Sequence, residues 1–89
     1  MARYRVEFTP AAARDLKKLD RQTQKRLSGV IDGLGENPRP NSVVALQGDS
    51  SILRIRSGAY RILYRIEDRV LMIVIIRIGH RKDVYRTKS

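Results

Sequence analysis

Residues Val70-Leu71-Met72-Ile73-Val74-Ile75-Ile76-Arg77-Ile78 constrain this chain more than any other stretch. They are rich in β-branched side chains and apolar at odd and even positions alike. A strand that is apolar on both faces belongs in the interior of a sheet, with strands beside it and structure over it. The run is far too short to cross a bilayer. With 89 residues the chain can build one small core and no more. The run therefore predicts a central strand, and the rest of the chain must supply its neighbours and its cover.

The patterns around it do so. Arg3 to Phe8 alternates charged with apolar side chains, which predicts a half-buried strand. Thr9-Pro10 starts a helix, with threonine as N-cap and proline at the first helical position. Ala12, Leu16 and Leu19 give it an apolar stripe. Asp20 can cap a second helix, on which Leu27, Val30, Ile31 and Leu34 recur at helical spacing. Gly35 and Asn37-Pro38 stop it. With almost no loop between them, the helices predict an antiparallel hairpin. Gly29 and Gly33 on the second helix suggest close approach of the first. Pro38 to Ser51 is turn-rich and weakly patterned, a β-hairpin follows, and Glu67-Asp68 marks another turn. The predicted order is β-α-α-β-β-β, an α+β domain spanning residues 1–89: a twisted, mostly antiparallel sheet with the helical hairpin packed on one face. No repeat, linker or low-complexity tract interrupts it.

The open sheet face is left for arginines. In a strand alternate side chains share a face, so Arg54 and Arg56 point away from Leu53 and Ile55. After the Ser57-Gly58 turn, Arg61 and Arg65 lie opposite Tyr60, Ile62 and Tyr64. Pairing the two strands crowds four guanidinium groups on one face. Like charges side by side in a sheet are destabilising, so such a cluster makes sense if a polyanion binds there. The formal net charge of +10 points the same way. Arginine rather than lysine at all four positions favours bidentate phosphate contacts over a merely solvated basic face. The absence of cysteine excludes disulfides and cysteine-ligated zinc. The opening Met1-Ala2-Arg3-Tyr4 leads straight into alternation and shows no signal peptide. A soluble cytoplasmic domain with no membrane partner is expected.

Past the apolar run comes Gly79-His80-Arg81-Lys82-Asp83-Val84-Tyr85. His80 is the lone histidine. It is either an ordinary surface residue or, beside Arg81 and Lys82, a group that handles protons near neutral pH. Tyr85 either docks on the core or offers a stacking platform to an RNA base. Tyr60 and Tyr64 fit the core, with hydroxyls reaching the rim. The carboxylates are scattered and give no metal-ligand spacing. No Gly-rich phosphate loop and no Ser-His-Asp set is present.

Taken together, the opening strand, Thr9-Pro10-Ala11-Ala12-Ala13-Arg14-Asp15-Leu16-Lys17-Lys18-Leu19, Asn37-Pro38, Arg56-Ser57-Gly58-Ala59-Tyr60-Arg61-Ile62-Leu63-Tyr64, and Ile78-Gly79-His80-Arg81 through Tyr85 resemble the RelE branch of the RelE/ParE toxin superfamily. The resemblance covers nearly the whole chain. It implies a type II toxin that cuts mRNA in the ribosomal A site without a metal or other cofactor. In that chemistry the mRNA 2′-hydroxyl attacks the adjacent phosphate, leaving a 2′,3′-cyclic phosphate and a 5′-hydroxyl. It also implies a cognate RelB-like antitoxin that wraps the toxin, with operator DNA bound only through that antitoxin.

By position, Arg61 resembles the family's phosphate-clamping arginine, and Arg81 the arginine credited with leaving-group protonation or charge stabilisation. Tyr85 resembles the tyrosine that stacks on the mRNA base. Arg56, Arg65 and Lys82 are the accompanying RNA contacts. Arg54 falls where some members carry a lysine thought to act as general base. A guanidinium stays protonated in proteins, so Arg54 suits electrostatic stabilisation better than proton abstraction. Either His80 takes over proton transfer, or catalysis rests on charge and positioning. Two other functions fit the same residues: a ParE-like toxin acting on DNA gyrase, and a non-catalytic basic nucleic-acid-binding module.

Overall fold

The computed structural model describes residues 3–80. The strands β1 (Arg5–Phe8), β2 (Val44–Leu46), β3 (Asp49–Ser57), β4 (Tyr60–Glu67) and β5 (Met72–His80) form one sheet in the order β1-β5-β4-β3-β2. The helices α1 (Pro10–Lys17) and α2 (Arg21–Glu36) follow β1. Only the β1–β5 pair is parallel; the others are antiparallel. The α+β class, the helical hairpin and the interior position of the apolar run are as the sequence predicts. The strand count differs by one.

The extra strand is β2, inside the stretch expected to be irregular. It has three residues, lies at the sheet edge and exposes Val44 to 49%. A strand with no buried face carries no alternation, so nothing in its sequence announced it. Gly48, at φ +94°, makes the tight turn into β3. The apolar run is also trimmed at its start. Asp68–Val70 form a single 3₁₀ turn, Leu71 takes a left-handed φ of 52°, and the strand begins only at Met72.

Both helices close over one face of the sheet. Thr9 caps α1 by accepting from the Ala12 amide at 3.0 Å, and Asp20 caps α2 by accepting from the Thr23 amide at 3.2 Å. Ala12 from α1 and Leu27, Ile31 and Leu34 from α2 meet Ile55, Ile62, Tyr64, Ile73, Ile75 and Ile78 of the sheet in one buried cluster. Burying each such aliphatic side chain contributes about 1.5–3 kcal/mol, which is why this face sets the register of every strand it touches. The Tyr64 hydroxyl does not reach the rim: the residue is fully buried and donates to the Pro38 carbonyl at 2.6 Å.

The expected role of Gly29 and Gly33 is overturned. A Cβ at either position would meet nothing within 4 Å, so no helix approaches there. The close approach is at Gly35, which lies inside α2 rather than ending it. A Cβ there would stand 3.0 Å from the Tyr4 carbonyl oxygen, and the Tyr4 amide donates to Gly35 O at 2.8 Å. Tyr4 is tied down again at its hydroxyl, which donates to Asp68 at 2.6 Å, while Arg39 donates to the same carboxylate at 2.9 Å. Among the described residues no helix is long and apolar enough to cross a membrane.

Candidate nucleic-acid interface

The β3–β4 hairpin turns through Gly58-Ala59, with Gly58 at φ +61° and no positive φ at Ala59. That is the pattern of a II′ turn, whose twist suits a two-residue hairpin. The turn pairs Ser57 with Tyr60 and, one step in, Arg56 with Arg61; Arg54 pairs with Leu63. Directly paired residues share a sheet face. Arg54, Arg56, Arg61 and Arg65 therefore stand on one side, away from the helices, as expected.

Their environments differ. Arg56 is exposed, whereas Arg61 is only 7% exposed, rare for an arginine. Arg54 is half-buried. Arg65 donates to Glu67 at 2.6 Å, so its charge is partly compensated in place. Both partners are more than 40% exposed, and an ion pair in that setting is weak enough for a polyanion to displace. Leu63 is buried but stands outside the core cluster. Its partners in the sheet are Arg54 of β3 and Arg77 of β5, and the alkyl stems of such long side chains can lie over apolar surface.

His80 lands elsewhere. It pairs with Tyr60, and the two rings meet edge to face at 5.8 Å. Tyr60 packs against the core, so His80 leaves the sheet on the side opposite Arg61. On Arg61's own side the paired residue of β5 is Gly79. The structure thus brings the four hairpin arginines together and sets His80 apart from them. Arg81, Lys82 and Tyr85 lie outside the described residues. Among those residues, no group of three or more His, Cys, Asp or Glu could hold a metal ion.

Sequence reasoning missed the ion pair between Arg77 and Asp15. Arg77 donates to Asp15 at 2.8 and 3.2 Å, and the Ile78 amide donates to the same carboxylate at 2.9 Å. Burial disfavours the charged carboxylate, but the Arg77 hydrogen bond, the Ile78 amide and the charges of Arg77 and Lys18 outweigh it and hold Asp15 below its ordinary range. The signal was present: a lone charge in an apolar strand calls for a counter-charge. Nothing in the spacing said which carboxylate would answer. Arg26 of α2 was also passed over. Its guanidinium lies 3.6 Å from where a Cβ on Gly58 would be, so a helix cation reaches the hairpin tip.

A sheet face that gathers arginines, carried on a two-helix scaffold, defines a small basic α+β protein. Comparison with known proteins places it further. The model of the ParE toxin of the type II toxin–antitoxin system parDE matches residues 6–85. Toxin RelG of Mycobacterium tuberculosis is 36% identical over 87 residues, covering 93% of this chain and 97% of that protein. The toxin–antitoxin complex RelBE2 of M. tuberculosis contains a chain that superposes with a TM-score of 0.81 at 34% identity, covering 90% of this chain and 93% of the other. The archaeal RelE–RelB complex of Pyrococcus horikoshii OT3 gives 0.76 at 26% identity, covering 88% and 94%. The chain belongs to the ParE toxin family and is a RelE-like toxin of a type II toxin–antitoxin system.

Proposed function

We propose that this toxin is an endoribonuclease that cleaves mRNA in the ribosomal A site and so halts translation in the cytoplasm. The observation that carries the reading is the paired placement of Arg56 and Arg61, with Arg54 and Arg65 on the same face. In the reaction, the 2′-hydroxyl oxygen attacks the adjacent phosphorus and loses its proton. The bond from phosphorus to the 5′-oxygen breaks, and that oxygen takes up a proton. Negative charge builds on the phosphoryl oxygens, and fixed guanidiniums stabilise it in place. Arg61, held in a largely buried position, is the best placed to act without reorganising. Arg56 and Arg65 guide the backbone, and Arg54 adds positive charge. His80 shares no face with Arg61, which favours charge and positioning over histidine general-base catalysis. Arg81 and Tyr85 take the leaving-group and base-stacking roles that the family resemblance implies, and Lys82 adds a backbone contact.

The partner that restrains this activity is a RelB-like antitoxin, and operator DNA is met only through it. Support comes from the relatives of M. tuberculosis and P. horikoshii, each solved as a complex of toxin with antitoxin. Covering a basic face calls for acidic and apolar side chains.

The test is inducible expression with and without the antitoxin, followed by mapping of mRNA 5′ ends on ribosomes. New 5′ ends within reading frames, suppressed by the antitoxin, are the expected result. A second reading is kept by the family model itself, which is that of a ParE toxin: the chain then acts on DNA gyrase. Growth arrest with intact mRNA and accumulating gyrase–DNA cleavage complexes would replace the first reading with the second.

A further inference from the structure

Where β1 ends, α1 takes over the edge of β5. Phe8 is the last residue of β1 to pair with β5, opposite Ile75. The Thr9 amide then donates to Ile75 O at 3.0 Å, and the Thr9 hydroxyl donates to Ile76 O at 2.8 Å. One and a half helical turns on, Asp15 accepts the Ile78 amide at 2.9 Å and Arg77 at 2.8 Å. Its side chain is only 12% exposed.

The other edge of the same segment is irregular. Tyr64 of β4 pairs with Ile75, but Leu63 pairs with Arg77, so Ile76 is an extra residue in β5. Such a bulge re-aims the side chains beyond it. Continuing the Tyr64–Ile75 register without it would put Ile78 beside Arg61 and Gly79 beside Tyr60. With it, Gly79 stands beside Arg61 and His80 beside Tyr60. A one-residue slip exchanges the two faces of everything downstream. Glycine sets no side chain beside Arg61, where an isoleucine would add one.

We propose that Asp15 is a positioning residue for the arginine face: by holding the bulge at Ile76, it sets which residues at the end of β5 stand beside Arg61. The inference rests on reading that face as the RNA-cleaving site.

Two measurements on wild type, Asp15→Asn and Asp15→Ala test it separately from that reading. Amide hydrogen exchange follows Ile76 to His80, and single-turnover cleavage on programmed ribosomes separates the maximal rate from the half-saturating concentration. Asparagine keeps an acceptor for the Ile78 amide. Asp15→Ala should raise Ile78 exchange by about tenfold or more. It should lower the maximal rate by about 10²-fold with little change in half-saturation, as displacement of catalytic groups does. Asp15→Asn should stay near wild type in both. Unchanged Ile78 exchange in Asp15→Ala overturns the proposal whether or not the chain cuts RNA, and so does fast exchange with wild-type cleavage. Should Asp15→Ala fail to fold, the wild-type chain carries the test. The Ile78 amide shift should follow titration of the Asp15 carboxyl, which faces Arg77 and Lys18, and should not do so in Asp15→Asn. A wild-type shift that ignores acid pH overturns the proposal.

Discussion

Arg56 and Arg61 occupy directly paired positions on β3 and β4, one exposed and the other 7% exposed. Two like charges so placed weaken the hairpin by roughly 0.2–1 kcal/mol, so the pair does not serve folding, and the proposed function assigns it to binding. Removing a preorganised charge donor typically lowers a rate by about 10²–10³. Arg61→Ala should lose that much mRNA cleavage and relieve growth arrest while keeping its far-ultraviolet spectrum. Arg56→Ala, at the exposed member, should lose less and gain slightly in urea midpoint. Full toxicity in Arg61→Ala at matched expression would remove Arg61 from the site.

How much of this was legible follows from the range of the interactions. Thr9, Pro10 and Asp20 act within a few residues, and their caps were read directly from the chain. Alternation in β3 and β4 is local too, which is why the shared face of Arg54, Arg56, Arg61 and Arg65 was visible. The bulge at Ile76 was not: it depends on α1, some sixty residues away in sequence, and every residue around it except Arg77 is simply apolar. For the same reason His80 was grouped with the arginines. Its face is decided by a shift that composition does not record. Nor did the sequence reveal that Arg61 is buried.

The Tyr64 hydroxyl offers a test at alkaline pH. Burial pushes its pKa from 10 up to about 12, against a small opposing pull from Arg39. The raised value is the folded one. The contribution is therefore complete below pH 10 and is lost between pH 10 and about 12, where the unfolded chain has given up the proton and the folded chain has not. Tyr64→Phe should cost about 1 kcal/mol at neutral pH through its bond to Pro38 O. Its urea midpoint should then fall less steeply than wild type above pH 10. Parallel profiles would mean the hydroxyl is not buried as described.

Asp68 gives the opposite sign. Hydrogen bonds from Arg39 and then Tyr4 hold its carboxyl below the ordinary carboxylate value of 3.8. A depressed folded pKa stabilises above the unfolded value and is lost as pH falls through the folded one. Asp68→Asn should be less stable than wild type at pH 6, and the gap should close on acidification below about pH 4. The group is exposed, so added salt should also narrow the gap. A gap that persists at pH 2 would assign the effect to packing instead of charge.

The three glycines of α2 separate helix propensity from packing. Gly29 and Gly33 are exposed, and a Cβ on either meets nothing within 4 Å. Gly29→Ala and Gly33→Ala should each raise stability by about 0.5–1 kcal/mol, because alanine costs less backbone entropy in a helix. Gly35 has the same propensity to gain, but its added Cβ would stand 3.0 Å from the Tyr4 carbonyl oxygen. Neither neighbour yields easily there. The Tyr4 amide is bonded to Gly35 O at 2.8 Å, and the Tyr4 hydroxyl is anchored at Asp68. Forcing β1 from α2 should outweigh the propensity gain, for a net loss of about 1–3 kcal/mol. Urea midpoints at constant m-value decide it. Equal stabilisation by all three alanines would show that β1 can shift off α2 at no cost, and that the tight seat of Tyr4 does not hold the parallel strand in place.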